Sequence, residues 1–320
     1  MGQINPLRIA ILDDYQGVAL QSADWSVLPA GSDVQVFRDH VDDEQALVAR
    51  LREASVVVAM RERTPFGPSL LAQLPALKLL VTTGRRNAAI DVAAAREHGI
   101  VVSGTEGLPH PTAELTWGLI LSLLRRIPQE DHATRAGAWQ TTLGRDLAGK
   151  TLGVLGLGRL GTRVAKVGRA FDMRVIAWSP HLTEARAREG HAQYVSREVL
   201  FEESDVLSVH LVLGEGTRGL VGEGELARMK RSAYLINTAR GPIVDEGALI
   251  AALSGGRLAG AGLDVFDREP LPLDHPLRQL PNTVITPHLG YVTEDTYRVF
   301  FRDVVEDIVA FLRGTPLRVL

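Results

Sequence analysis

The chain contains no cysteine among its 320 residues, which excludes disulfide bonds, thiolate nucleophiles and cysteine-ligated zinc. It also has no excess of positive charge: the formal net charge is -3, so no basic field attracts nucleic acid or a membrane surface. The most apolar long stretch, Leu115–Leu124, is shorter than the roughly 20 residues that span a bilayer. The N-terminus lacks the basic start and long apolar region of a secretory signal. These absences favour a cytoplasmic protein that binds neither nucleic acid nor a membrane.

Hydrophobic residues make up 45% of the chain and charged residues 23%, as in a globular protein, and the length predicts about two domains. Strand-like apolar runs alternate with helical patterns, which indicates α/β units built on parallel sheets. The predicted strands are 8–14, 56–60, 77–84 and 100–105, and then 151–156, 174–178, 206–211, 233–237, 259–266 and 283–288. The predicted helices are 43–52, 68–74, 91–98, one that begins near Thr112 and runs past Arg125, 162–171 and 293–313.

A glycine-rich motif follows the first strand of the second series. Its residues are Gly156, Leu157, Gly158, Arg159, Leu160 and Gly161, and a helical pattern comes directly after them. In this context, the first glycine permits a tight turn, the second lets the backbone approach a pyrophosphate, and the third lets the helix pack on the strand. The helix N-terminus then offers N–H groups to the phosphates. The motif therefore predicts a dinucleotide site in the second unit.

The end of the next strand bears on the choice between NAD and NADP. An acidic residue about 20 residues after the motif would bind the ribose hydroxyls of NAD and repel a 2′-phosphate. Here Ser179 stands at this position, followed by Pro180 and His181, with no carboxylate and no arginine. The sequence leaves the cofactor as NAD or NADP, with a slight preference for NADP or dual use.

Three charged residues follow later strands of the same unit: Arg240, Glu269 and His288. Ligands of an open α/β sheet bind outside the carboxyl ends of its strands, so these side chains are expected to converge. Reduction of a carbonyl needs a proton donor, which a histidine can supply, and a carboxylate that orients it. An arginine can hold a substrate carboxylate in a bidentate pair.

These residues lie in four ordered motifs, GVLGLGRLG (153–161), LINTARGPIVDEGAL (235–249), GLDVFDREP (262–270) and PNTVITPHLG (281–290). With them, the chain resembles the D-isomer-specific 2-hydroxyacid dehydrogenases from about residue 50 to residue 313. The resemblance implies two Rossmann-like parallel-sheet domains, one flavodoxin-like and one dinucleotide-binding, with a cleft between them. Residues 1–107 plus 291–320 would bind substrate, 108–290 would bind the dinucleotide, and the enzyme would be a homodimer.

The resemblance also implies roles for single residues. Arg240 is the substrate-binding arginine, Glu269 the partner of the histidine, and His288 the acid/base that serves hydride transfer to or from a 2-oxo or 2-hydroxy acid. Asp264 matches an aspartate near the nicotinamide, and further positions that line the cofactor are Thr217, Thr238, Ala239 and Gly290. His210 has two interpretations, since it either lines the cofactor site or only ends its strand.

The substrate loop departs from the family pattern. In the family, its backbone N–H groups hold the substrate carboxylate, and a Val-Gly or Ala-Gly pair is common where this chain has Arg85 and Arg86, between Gly84 and Asn87. The extra charge would favour a substrate with a second anionic group, or would only pair with acids of the protein itself. Arg61, directly after a strand, either faces solvent or reaches the substrate.

Two other functions remain open from the sequence. The first is oxidation of formate or phosphite, although formate chemistry needs no proton acid and an intact Glu269–His288 pair favours hydroxy acids. The second is a non-catalytic corepressor-like protein that senses NAD(H). The histidines show no i, i+4 pair or acidic cluster, so no metal site is expected. The sequence does not identify the particular 2-hydroxy or 2-oxo acid.

Overall fold

The computed structural model describes residues 6–320. These residues form two compact units. One contains the described residues up to Leu108 together with Thr293–Leu320, and the other contains Pro109–Val292. Within residues 6–320, no helix is both long enough and apolar enough to cross a membrane.

The first unit is built on a five-stranded sheet in the order β2-β1-β3-β4-β5, and all its strand pairs are parallel. The strands are β1 Arg8–Ile11, β2 Asp33–Val36, β3 Val56–Ala59, β4 Leu79–Thr82 and β5 Val101–Gly104. The helices are α1 Glu44–Leu51, α2 Pro68–Ala72, α3 Val92–Glu97 and α11 Glu294–Leu312. Chain connections leave the sheet in opposite directions on either side of β1 and β3, which is the point where such sheets bind ligands.

Local sequence explains these elements. The four residues of β3 are all buried, which is typical of a strand covered on both faces. Asp43, Asp91 and Thr293 precede α1, α3 and α11, and each side chain accepts a hydrogen bond from a backbone N–H of the first helical turn. These caps satisfy N–H groups that a helix start leaves without partners.

The second unit has a seven-stranded sheet in the order β12-β11-β10-β9-β6-β7-β8, again with parallel pairs. Its strands are β6 Thr151–Leu155, β7 Arg174–Trp178, β8 Gln193–Tyr194, β9 Val206–Val209, β10 Tyr234–Asn237, β11 Gly260–Leu263 and β12 Thr283–Ile285. Its helices are α4 Pro111–Leu124, α5 Ile127–Arg135, α6 Arg159–Ala170, α7 Glu184–Glu189, α8 Arg197–Glu203, α9 Glu223–Arg228 and α10 Glu246–Ser254. Two buried apolar clusters fill the core of this unit.

The expected parallel α/β architecture is confirmed, and each strand predicted from the sequence contains an observed strand. Sequence analysis missed β2 and β8. Both are exposed or half-buried edge strands without a continuous apolar run.

The predicted helix that runs past Arg125 is wrong, because α4 ends at Leu124 and a new helix begins at Ile127. Pro128 has no N–H to donate to the Leu124 carbonyl, which accepts from the Arg145 N–H at 2.8 Å instead. Arg126, between the two helices, has a left-handed backbone with a φ of 54°.

Candidate active site

The glycine motif forms the tight turn between β6 and α6. Gly156 has a φ of +103°, and a Cβ there would lie 2.7 Å from the His210 carbonyl oxygen. A Cβ on Gly161 would overlap the carbonyl of Gly156, so this glycine permits close packing of helix on strand. By contrast, no atom lies within 4 Å of a Cβ on Gly158, and no side chain caps the start of α6 there. The exposed helix N-terminus and the open space at Gly158 fit a pyrophosphate group.

Ser179 directly follows β7, next to the glycine turn. Leu155 pairs with Trp178 across β6 and β7, and the Gly156 N–H donates to the Trp178 carbonyl at 2.9 Å. Ser179 is half-buried at this strand end. The residue in the position of the ribose-binding carboxylate is therefore a neutral hydroxyl.

His288 and Glu269 form a close pair at the carboxyl edge of the same sheet. His288 Nδ1 lies 2.5 Å from Glu269 Oε2, and Glu269 Oε1 accepts from the Phe266 N–H at 2.9 Å. The glutamate is thereby fixed at both oxygens, and it orients the imidazole through Nδ1. Nε2 is then the ring nitrogen left to exchange a proton with a ligand.

Asp264 holds the turn that carries His288. Its Oδ1 accepts from Thr286 Oγ1 and from the Leu289 N–H, both at 2.6 Å, and its Oδ2 accepts from the Gly290 N–H at 2.8 Å. Burial raises the pKa of Asp264, and these hydrogen bonds act in the opposite direction. His288 itself has a left-handed backbone with a φ of 55°, a conformation that its surroundings must hold in place. The carboxylate of Asp264 therefore supports the geometry of the histidine.

Arg240 lies in the loop after β10, the strand that neighbours β11 in the sheet. Asn237 shapes this loop, because its side chain donates to the Arg240 carbonyl and accepts from the Ala239 N–H, each at 3.0 Å. A Cβ on Gly241 would overlap the backbone at Phe266. Only glycine lets the loops after β10 and β11 approach this closely. Arg240 and Glu269 therefore lie in two loops that contact each other.

The remaining positions expected to line the cofactor lie on the same unit. Thr238 is buried, with its Oγ1 2.8 Å from Thr116 Oγ1 of α4. Thr217 accepts from the Gly214 N–H at 2.9 Å and donates to the Val212 carbonyl at 2.7 Å, so its hydroxyl shapes its own loop.

His210 follows β9, and its backbone lies against Gly156. Its Nε2 lies 2.8 Å from Ser208 Oγ, whereas its Nδ1 is buried without a hydrogen-bond partner within residues 6–320. Burial lowers the pKa of His210 to about 4, so the ring is neutral near pH 7. This buried polar atom without a hydrogen-bond partner lies on the residue whose backbone meets the glycine turn.

In the first unit, Arg61 and the loop after β4 lie together. The Arg61 Nη1 donates to the Thr83 carbonyl at 3.1 Å, and a Cβ on Gly84 would overlap the guanidinium. Within residues 6–320, the backbone N–H groups of Arg85 and Arg86 make no hydrogen bond. The guanidinium and these two N–H groups are suited to an anion.

The side chains of the two loop arginines are exposed. Arg85 Nε donates to Glu106 Oε2 at 2.6 Å, so this arginine pairs with an acid of the protein itself, as one of the two alternatives expected. Arg86 has no such partner within the described residues. The positive charge closest to Gly84 therefore comes from Arg61.

Sequence analysis did not single out a buried polar network beside Arg61. Asp13, which follows β1, lies 2.9 Å from His40 Nδ1 and accepts from Thr64 Oγ1 at 2.7 Å. The paired aspartates after β1 were visible in the sequence, but nothing in the local pattern of His40 or Thr64 connects them to Asp13. No group of three or more His, Cys, Asp or Glu side chains in residues 6–320 is placed to hold a metal ion.

The chain is similar to a known family and to several known proteins. Residues 117–290 match the family model for the NAD binding domain of D-isomer specific 2-hydroxyacid dehydrogenases. The chain is 42% identical over 280 residues to a glyoxylate reductase of Aeropyrum pernix, covering 84% of this chain and 83% of that protein. It is 38% identical over 261 residues to a D-3-phosphoglycerate dehydrogenase of Bacillus subtilis, covering 81% of this chain but only 50% of that protein.

A solved phosphoglycerate oxidoreductase from Vibrio cholerae has a TM-score of 0.90 and 39% identity, with coverage of 96% of this chain and 99% of that one. The parallel sheet, the glycine turn and the His–Glu pair define an NAD-dependent oxidoreductase. The chain belongs to the D-isomer specific 2-hydroxyacid dehydrogenase family, as the four sequence motifs predict.

Proposed function

We propose that this enzyme reduces a short 2-oxo acid, with glyoxylate as the first candidate, to the corresponding 2-hydroxy acid. The observation that carries the proposal is the contact of 2.5 Å between His288 and Glu269. Formate oxidation needs no proton donor, whereas carbonyl reduction does, and this pair is built to supply one. The glyoxylate reductase of Aeropyrum pernix supports a short substrate because the alignment covers 83% of that protein.

Each protein group has one task in this reaction. When bound, the reduced nicotinamide supplies the hydride that reaches the carbonyl carbon. His288 Nε2 donates the proton that the carbonyl oxygen gains, and Glu269 stabilises the imidazolium before that donation. Arg240 binds the substrate carboxylate as a bidentate cation. In the first unit, we assign substrate binding to the Arg61 guanidinium and to the N–H groups of Arg85 and Arg86.

The substrate is tested by turnover with glyoxylate, hydroxypyruvate, phosphohydroxypyruvate and longer 2-oxo acids, each with NADH and with NADPH. We expect the highest kcat/KM with an unbranched short acid. Preference for phosphohydroxypyruvate would instead support the phosphoglycerate dehydrogenase assignment, and activity with formate alone would overturn the proposal.

We propose that the enzyme uses NADPH at least as well as NADH. Ser179 supports this, because a hydroxyl does not repel the 2′-phosphate as a carboxylate would. In the same site, the buried Nδ1 of His210 would gain a partner from the bound dinucleotide. Direct titration of the protein with each cofactor tests the first assignment, and the same titration of a His210→Phe variant tests the second.

We propose that the enzyme is a homodimer that works in the cytoplasm, where nicotinamide cofactors and 2-oxo acids are available. The dimer proposal is supported by an exposed apolar segment in the second unit. All residues of 136–146 are exposed, and this stretch carries Trp139 and Leu143, which are 78% and 93% exposed. Ile127, at the start of α5, is also half exposed. Large exposed apolar side chains in one segment are typical of a surface that a partner covers, and a second copy is the partner that we assign. Molar mass in solution and cell fractionation test the two statements.

A further inference from the structure

Arg61 stands at the beginning of a turn, residues 60–64, that follows β3 in the first unit. Its backbone is left-handed, with a φ of 53°. Residues with a Cβ adopt this conformation only where the surrounding structure holds them, and such residues cluster at functional sites. The turn therefore needs supports on its flanks.

The flank towards β4 is held by two side chains. The Arg61 N–H donates to Thr83 Oγ1 at 3.0 Å, and the Arg61 carbonyl accepts from Asn87 Nδ2 at 2.6 Å. The guanidinium then lies over Gly84, where any side chain would displace it. These contacts fix the residue itself.

The flank towards β1 is held by Asp13. Asp13 Oδ2 accepts from Thr64 Oγ1 at 2.7 Å, and the Asp13 carbonyl accepts from Arg63 Nη1 at 2.9 Å. Asp13 is almost fully buried and is itself left-handed, with a φ of 57°. Asp13 thus fixes the far end of the turn through both its side chain and its backbone.

His40 completes the hydrogen bonding of this carboxylate. Its Nδ1 lies 2.9 Å from Asp13 Oδ1, and its Nε2 lies 3.1 Å from Asp42 Oδ1. The hydrogen bond to Asp13 raises the pKa of His40, against the opposing effect of burial. A buried carboxylate is stable only with such partners, and these partners tie three loops to one another.

We propose that Asp13 is a positioning residue for substrate binding, which acts by holding the 60–64 turn so that the Arg61 guanidinium faces the substrate carboxylate. The location supports this, since β1 and β3 are the neighbouring strands at the switch point of their sheet, where ligands bind. The inference rests on the proposed role of Arg61. Asp13 itself touches no reacting atom.

The test is a double-mutant cycle of Asp13→Asn and Arg61→Ala, read as KM and kcat for glyoxylate and as the Kd of the non-reacting analogue oxalate with NADPH present. We expect each single variant to raise KM and the oxalate Kd about tenfold, in the range of a lost charge-assisted contact. The double variant should be no weaker than Arg61→Ala, because Asp13 acts through that arginine. The Kd of NADPH should not change.

A second variant, Thr64→Val, removes one hydroxyl, leaves Asp13 in place and guards against misfolding of Asp13→Asn. It should raise KM about threefold, in the range of one lost neutral hydrogen bond. Asp39→Asn is the matched control, since Asp39 precedes His40 but pairs with Arg50 at the surface. It should leave KM unchanged.

The outcomes separate the two proposals. The positioning role would be overturned if the effects of Asp13→Asn and Arg61→Ala were additive. It would also be overturned if Arg61→Ala raised KM while Asp13→Asn and Thr64→Val left KM unchanged. If Arg61→Ala binds oxalate normally, the substrate role of Arg61 is wrong, and the positioning role fails with it. A wild-type enzyme that binds oxalate but reduces no 2-oxo acid would refute only the proposed reaction.

Discussion

The guanidinium of Arg61 occupies the space where a side chain on Gly84 would begin. Gly84 also has a φ of +94°, a region that residues with a Cβ rarely adopt. These two facts make the glycine a condition for the position of the arginine. They also give the substrate loop a requirement that can be tested without changing any charge.

We therefore expect Gly84→Ala to raise KM for the 2-oxo acid about tenfold or more, because the added methyl group displaces Arg61 and strains the loop. Steady-state kinetics with saturating NADPH measure this. Gly67→Ala is the matched control, since no atom lies within 4 Å of a Cβ there and its φ is -83°. Equal KM values for both variants would show that the arginine does not depend on the glycine.

The contact between His288 and Glu269 leads to a prediction on catalysis. His288→Ala should lower kcat about a hundredfold or more, because the carbonyl oxygen loses its proton donor. Glu269→Gln should lower kcat less, because the imidazolium loses its negatively charged partner but the ring stays in place. Single-turnover reduction and NADPH titration separate chemistry from binding, and the titration should match wild type.

His98→Ala, at the exposed end of α3, controls for loss of a histidine as such. A His288→Ala enzyme that reacts at the wild-type rate would remove this residue from the mechanism.

How far the sequence predicts this site depends on the range of the interactions. The glycine turn and the strand ends at Arg240 and His288 could be predicted, since short segments of chain determine them. The contact between Arg61 and Gly84 could not be predicted, because it joins the loops after two different strands and depends on the conformation of the Arg61 side chain. Likewise, Asp13 meets His40 and Thr64 only once three loops fold together.

The helix break at Arg126 was predictable in part, since Pro128 has no N–H to continue the hydrogen bonding of α4. The Arg145 N–H, which donates to the Leu124 carbonyl instead, is distant in sequence and could not be predicted. The carboxylate of Asp264 shows the same limit. Its match to the family suggested a place near the cofactor, whereas its hydrogen bonds to the His288 turn appear only in the structure.

The hydroxyl at Ser179 leads to a prediction on the cofactor. Ser179→Asp should shift the ratio of kcat/KM values towards NADH about tenfold or more, because a carboxylate accepts from the ribose hydroxyls and repels a 2′-phosphate. The measurement is kcat/KM for both cofactors at one ionic strength. Ser196→Asp adds the same charge at the cap of α8, where aspartate is also a good cap, and should not shift the ratio. A wild-type enzyme that prefers NADH a hundredfold would contradict our interpretation of this strand end.

Asp307 on α11 leads to a prediction on pH and stability. Burial raises its pKa to about 7, and although Arg318 opposes the shift, Asp303 and Glu306 add to it. The folded chain then holds a proton that the unfolded chain releases near pH 4, so this group's contribution to stability is lost as pH rises towards 7. The Tm of Asp307→Asn minus the Tm of wild type should therefore increase between pH 5 and pH 8, by an amount on the order of a few degrees. Differential scanning calorimetry of both proteins across this range measures the gain, and a Tm difference that is independent of pH would contradict it.

The exposed segment 136–146 gives the last prediction. If a second copy covers Trp139 and Leu143, as we propose, wild-type protein should have twice the chain mass of 34.7 kDa in light scattering. Burial of one large apolar side chain contributes about 1.5–3 kcal/mol, so charging two of them should raise the dimer Kd by about a hundredfold or more. Trp139→Glu with Leu143→Glu should therefore elute at the mass of one chain at micromolar concentration. Leu273→Glu is the matched control, since Leu273 is 88% exposed but lies outside the segment. If the double variant keeps the mass of two chains, the dimer uses another surface, and a wild type with the mass of one chain would exclude the dimer itself.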